Sequence, residues 1–95
     1  MTTSYTTTLG TTYTSIADFS ALNYQKDNIE IQSNGSQKLE FVWYYGDTSP
    51  AESVAPHIIV NAGLASSTYK GVGTRRGKLF GRCQSSTIAI VVNVY

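Results

Sequence analysis

The segment that most constrains this chain is KLEFVWYY, residues 38–45, bracketed by Asn34-Gly35 before it and GDTSP (residues 46–50) after it. Its bulky residues alternate. Leu39, Phe41, Trp43 and Tyr45 share one face, and Glu40, Val42 and Tyr44 share the other, the period-two pattern of a strand. Branched and aromatic side chains suit a pleated, half-buried surface. Asn-Gly is the strongest short hairpin signal because both residues tolerate positive φ, and Gly, Asp, Ser and Pro together end the strand. A face carrying Leu39, Phe41, Trp43 and Tyr45 has to be covered, so the chain must build a second layer over it. Glu40 and Tyr44 are left for the opposite side.

The rest of the chain supplies such layers. NIEIQS (residues 28–33) alternates, with Ile29 and Ile31 on one face and Glu30 and Gln32 on the other. HIIVNAG (57–63), LASSTYKG (64–71) and KLFGRC (78–83) are short runs closed by Gly, basic or Ser-rich turns, and VGTRRG (72–77) is a glycine-rich basic turn. TIAIVVNVY (87–95) sets Ile88, Ile90, Val92 and Val94 on one face and Ala89, Val91 and Asn93 on the other; with both faces fairly apolar it belongs in the middle of a sheet or against another subunit. Six to seven antiparallel strands at this spacing predict an all-β fold, a small β-sandwich or jelly-roll-like barrel. Ser15 and Asp18 fit a helix start, and Ile16, Phe19 and Leu22 recur at helical spacing, so one short helix near residues 16–24 is one reading and a bulged strand the other. Residues 1–14 are Thr-rich with Tyr5, Leu9 and Tyr13 on one parity; a disordered tail is one reading, and an extended N-terminal arm that orders on a neighbouring subunit is the sharper one; residues 15–95 form a single β domain, all that 95 residues allow.

Composition narrows the function classes. Charged residues are 14% of the chain and the net charge is +1, so no global field draws it to nucleic acid or to an anionic membrane. The charge is segregated, however. All six acids and two lysines lie up to Glu52, and the other five bases, Lys70, Arg75, Arg76, Lys78 and Arg82, all follow it. A lone cysteine, Cys83, excludes an intrachain disulfide. The polar N-terminal run has neither the basic start nor the apolar stretch of a secretory signal, and no apolar run approaches the ~20 residues of a membrane span; a soluble protein made in the cytoplasm is the expectation.

Catalytic motifs are absent from the sequence: it has no G-x-S-x-G, H-E-x-x-H, P-loop or C-x-x-C. His57 and Cys83 are the one nucleophile pair the composition offers, but a cysteine in strand-like sequence behaves as a small buried hydrophobe. Glu30 and Glu40 could neighbour each other on adjacent strands as paired carboxylates, and a solvated sheet face explains them equally well. The basic segment from Lys70 to Arg82 reads as a hairpin tip, as a dock for an acidic protein surface, or as a phosphate contact, nucleic acid being the weakest of the three. No cofactor or metal is called for, and the expectation is a non-enzyme.

The order of four pieces resembles a class of small virion proteins of tailed bacteriophages. They are IEIQSNGSQKLEF, YYGDTSP, HIIVNAG and GKLFGRCQSSTIAIVVNVY, together spanning residues 28–95 but not the arm. Members run from a strand ending I-Q-N through a Gly-Ser turn and an apolar strand into a G…P loop, and close on an Arg-bearing strand and an alternating one. Ser33 stands where the class has Asn, Cys83 and Gln84 follow the Arg, and Asn61-Ala62-Gly63 replaces a Pro-Gly, departures that leave the attachment site open. The resemblance implies a structural virion part: a capsid decoration (cement) protein, a head fibre or a tail accessory.

A decoration protein needs a compact body and a segment that reaches onto the shell. An arm could add a strand to an exposed sheet edge of a capsid protein. Ordering it costs about 1–2 kcal/mol per residue, offset in part by burying Tyr5, Leu9 and Tyr13. The candidate partner-binding residues are therefore Tyr5, Leu9 and Tyr13 of the arm and Lys70, Arg75, Arg76 and Lys78 of the basic segment. The expected partner is the major capsid protein or another virion protein, with a homo-oligomer, a trimer as the guess, located in the virion after assembly in the host cytoplasm. The alternative is a carbohydrate- or receptor-binding module of a tail or fibre, motivated by the aromatics from Phe41 to Tyr45.

Overall fold

The computed structural model describes residues 3–18, 28–44, 48–70 and 77–95. Within them lie eight strands: β1 (Thr3–Leu9), β2 (Thr14–Asp18), β3 (Asn28–Gln32), β4 (Leu39–Tyr44), β5 (Ile58–Val60), β6 (Ser66–Lys70), β7 (Lys78–Cys83) and β8 (Ile88–Val94). They form two four-stranded sheets, ordered β1-β8-β3-β6 and β2-β7-β4-β5, with antiparallel pairing throughout. The first strand pairs with the last, the second with the seventh, the third with the sixth and the fourth with the fifth. The chain is thus one long antiparallel ribbon whose tip lies between β4 and β5. Rolling the ribbon brings β8 beside β3 and β7 beside β4. That connectivity is an eight-stranded jelly roll, the sandwich expected from the sequence with more strands than the six to seven anticipated.

The N-terminal region supplies the extra strands. Residues 3–9, expected as an arm outside the β body, are its first strand, in unbroken register with β8 from Thr3↔Val94 to Leu9↔Ile88. The physical reason is β8 itself. Its face of Ile88, Ile90, Val92 and Val94 is buried, so it needs a neighbour on each side, and a run of β-branched threonines is strand-forming sequence. The parity that suggested a sticky arm serves the chain's own core, for Leu9 is fully buried and Tyr5 packs against the same cluster. The short helix is not formed over residues 16–18, which belong to β2; residues 19–24 lie outside the described residues. A bulge between Ser15 and Ala17 turns both Ile16 and Ala17 toward the core, so over these residues the bulged strand, the other reading of the segment, is the one that forms.

Asn34-Gly35 does not close a two-residue hairpin. β3 and β4 lie in different sheets, and residues 33–38 carry the chain across the sandwich. Gly35 takes the positive φ that the dipeptide signals (72°), while the Asn34 side chain accepts from the Ser36 N–H at 2.9 Å and the Ser33 hydroxyl from the Gly35 N–H at 3.1 Å. The crossing lets Ile29 and Ile31 of β3 face Leu39, Phe41 and Trp43 of β4 from the opposite layer, burying both apolar faces at once. Val42, on the other face of β4, is buried too, in a second small cluster with Tyr13 and Phe80 on the outside of the sheet. Tyr45 lies outside the described residues.

Candidate partner-binding surface

On the outer face of the second sheet the side chains are organised by Arg82 of β7. Its Nε donates to Glu40 Oε1 at 2.8 Å, and one terminal nitrogen donates to the Glu52 carbonyl at 2.8 Å and the Glu52 carboxylate at 3.2 Å. The guanidinium lies over the Tyr13 ring, 4.2 Å from its centre. The Tyr13 hydroxyl in turn donates to the Val54 carbonyl at 2.9 Å. Tyr44 meets Phe80 edge-on and, with Val54, borders the Tyr13–Val42–Phe80 cluster. The segment around Glu52–Val54 is therefore folded down over this face, and Arg82 fastens it. Sequence position grouped Arg82 with a basic tip. Strand parity could have found its role, since Arg82 and Glu40 are register partners on adjacent strands.

The residues expected to bind a partner fall into three groups. Leu9 and Tyr13 are buried within the chain itself, at 0% and 2% exposure, and Tyr5 is half-buried on the inner side of β1. A partner does not reach Leu9 or Tyr13 while the sandwich is closed, which corrects the reading of those two as contact residues. Lys70 ends β6 in the first sheet, opposite Asn28, whereas Lys78 begins β7 in the second sheet, opposite Tyr44 and Asp18; the structure divides these two cations between the sheets. Arg75 and Arg76 lie outside the described residues. The aromatics behind the carbohydrate reading are also mostly internal: Phe41 and Trp43 are in the core, and Tyr44 is half-buried against Phe80.

The chemical pairs weighed from the sequence are not brought together. Cys83 is buried, level with Leu39 of β4, its Sγ within 3.3–3.6 Å of the carbonyls of Leu9, Gly10, Ser85 and Ser86. His57 is exposed and lies further along β4, where its N–H donates to the Phe41 carbonyl at 2.8 Å and its Nδ1 accepts from the Trp43 N–H at 3.0 Å. The imidazole thus continues the ladder past the start of β5. Glu30 and Glu40 sit on the outer faces of different sheets, not on adjacent strands, because β3 and β4 part company at residues 33–38.

The outer face of the first sheet carries a hydrogen-bonded row that crosses its strands. The Ser4 hydroxyl donates to Asn93 Oδ1 at 2.6 Å, Asn93 Nδ2 to Glu30 Oε1 at 3.0 Å, Gln32 Nε2 to the same oxygen at 2.9 Å, and the Ser66 hydroxyl to Glu30 Oε2 at 3.2 Å. Beside it, a shallow hollow of about 260 Å³ opens where Thr6, Ala89 and Val91 keep the surface low.

The four sheet edges differ in how they are protected. β2 is bulged and carries Asp18; β5 is three residues long and follows Pro56; β6 carries Lys70. Each is a recognised obstacle to pairing with another strand. β1 has none of them. It runs seven residues in unbroken register and contains no charge, no proline and no glycine. Ser4, Thr6 and Thr8 are exposed along it. Among the described residues, the stretch from Ser4 to Thr8 in β1 is the edge that carries none of these obstacles to strand addition.

No family model and no curated protein matches the chain. Among solved structures, the chain is similar to one from the disulfide-linked pili that form Bacillus endospore appendages, at 16% identity and a TM-score of 0.48, covering 99% of this chain and 82% of that one. It is also similar to RmlC from Streptococcus suis, solved in complex with dTDP-D-xylose, at 13% identity and a TM-score of 0.46, covering 98% of this chain and 43% of that one, so it spans under half of that protein's length. At this distance neither likeness bears on what the chain binds.

Proposed function

We propose that this chain is a structural, non-enzymatic protein that joins an assembly by strand addition at β1, in the particular form of a tailed-phage virion protein decorating the assembled capsid. The observation that carries the reading is the contrast between β1, long, uncharged and unbulged, and the other three edges, each shortened, bulged or charged. Natural sheets block their edges unless pairing is wanted, and main-chain hydrogen bonds at such an edge give affinity without a pocket. The order of motifs along residues 28–95, which resembles phage virion proteins, supports the placement in a virion. A capsid protein, or another virion protein, is then the partner on the shell. The residues expected as a free arm act through the backbone of a sheet edge while Leu9 stays in the core.

The test is direct. Purified full-length protein is mixed with assembled shells of the phage that encodes it, and bound copies are counted by cryo-electron microscopy and by mass spectrometry of washed particles. The reading requires occupancy of equivalent sites with β1 hydrogen-bonded to a strand of another chain. Protein absent from particles, or attached through a surface remote from β1, overturns it. The carbohydrate-binding alternative has Tyr44 as its remaining described aromatic on β4, since Phe41 and Trp43 are internal.

A further inference from the structure

We infer that the first strand to pair with β1 is the β1 of a second copy of this chain, antiparallel, about a two-fold axis perpendicular to the first sheet and passing beside Thr6. The inference rests on the reading of β1 as a pairing edge and names its partner in the free protein; because β8 fills the other side of β1, a strand of the shell takes the second copy's place on attachment.

Geometry restricts how two such edges can meet. In a continuous antiparallel sheet, residues directly opposite each other point to the same face. Between two identical strands related by a two-fold, only an axis at a residue, not between residues, meets that condition. An axis at Thr6 overlaps the strand fully. It sets Thr6 opposite Thr6 and Ser4 opposite Thr8 on the outer face, and Tyr5 opposite Thr7 on the inner face. Hydroxyl pairs of this kind are favourable cross-strand neighbours, and no like charges are brought together because the strand has no charge. The joined sheet has eight strands in a row, with the two β8 strands next to the central pair.

The choice of a second copy over a different protein comes from the same positions. A strand that suits β1 must be uncharged, unbulged and small or β-branched opposite Ser4, Thr6 and Thr8. β1 meets those demands itself, whereas β2 is bulged with Asp18, β5 is too short and β6 carries Lys70. Heterologous pairing of β1 with another edge of the same molecule is thereby disfavoured, and the isologous pairing closes at two copies. A single strand pair buries less than the ~1,200 Å² of a standard interface, so the dimer is weak in solution, with a dissociation constant in the micromolar to millimolar range.

Sedimentation of the full-length chain from about 1 μM to about 1 mM tests this, because that range brackets such a constant. The expected result is a reversible monomer–dimer equilibrium, with β1 backbone amides gaining protection from hydrogen exchange as dimer forms. Thr6 is exposed, so Thr6→Lys and Thr6→Asp leave the fold intact. Each alone sets like charges opposite each other and weakens association about ten-fold. An equal mixture of the two restores it to within about three-fold of the unaltered chain, since Lys then faces Asp. A chain monomeric at the highest concentration, a trimer, or a dimer indifferent to both substitutions overturns the inference. A monomer that still decorates shells overturns the pairing and leaves the proposed function standing; a dimer found in no particle does the reverse.

Discussion

The Arg82 guanidinium stands 4.2 Å above the centre of the Tyr13 ring, and both residues reach past that contact to hold residues 52–54 against the second sheet. A cation seated on an aromatic face and fastened to a carboxylate through Nε is largely out of water, and its partners depend on it. Replacing Arg82 by Ala leaves Glu40 with Lys38, 3.9 Å away, as its remaining described ion-pair partner. Arg82→Ala should therefore cost about 2–3 kcal/mol in urea-induced unfolding. Arg82→Lys should recover less than half of that, because an ammonium cannot reach Glu40, the Glu52 carbonyl and the Tyr13 face from one planar group.

Tyr13 makes the same region sensitive to alkali. Burial, the largest cause, pushes its hydroxyl above the ordinary 10.0; Arg82 opposes that shift, and Glu40 and Glu52 add to it. Tyr5 moves in the same direction through burial and then Asp18. The folded chain consequently keeps these protons to higher pH than the unfolded chain does. Stability is whole below about pH 10 and falls as pH rises from there through the folded values, because the unfolded state ionises first. Thermal midpoints between pH 7 and pH 12 should show this decline, and Tyr13→Phe should flatten it while lowering the midpoint at neutral pH through loss of the bond to Val54.

Gly81 is required by what packs on it. A Cβ at this position would lie 2.8 Å from Ile16 Cδ1 and 2.9 Å from two ring carbons of Phe41. The Ile16 tip can swing aside, but the Phe41 ring is fully buried. Gly81→Ala should destabilise by about 1–3 kcal/mol, the usual cost of overpacking a core. Pairing it with Phe41→Leu should cost less than the two single changes added together, a coupling that a double-mutant cycle measures.

Trp43 provides an optical check on the carbohydrate alternative. With 7% of its surface exposed, its emission should be blue-shifted and poorly quenched by acrylamide. Glycans of any class should leave that emission unchanged in position and intensity. A saturable change on adding a glycan would show that the aromatic strand is a platform after all.

Much of this could be read along the chain. The alternation in β3, β4 and β8 identified the strands and their inward faces, because period two is a property of the backbone and survives any topology. Cys83 lies in strand-like sequence, and the structure shows it buried. What misled was information that depends on neighbours. Asn34-Gly35 signals positive φ, and Gly35 has it, but whether the following strand turns back or crosses over depends on which apolar face needs covering. Ser15 and Asp18 fit a helix start, but pairing with β7 draws both into a bulged strand. Arg82 looked like a solvent-facing base until its register with Glu40 placed an acid beside it.

The sequence by itself determined the all-β character and the inner faces of the central strands. These rest on local periodicity and residue chemistry, which act over a few residues. Only the tertiary structure decided that Thr3–Leu9 is a sheet edge and not a tether, and that the basic and acidic halves of the chain meet at Arg82 and Glu40. In a jelly roll the partners of each strand lie far away in sequence, the first strand's partner being the last, so edge and interior are assigned by the rolling of the ribbon and not by any segment's own pattern.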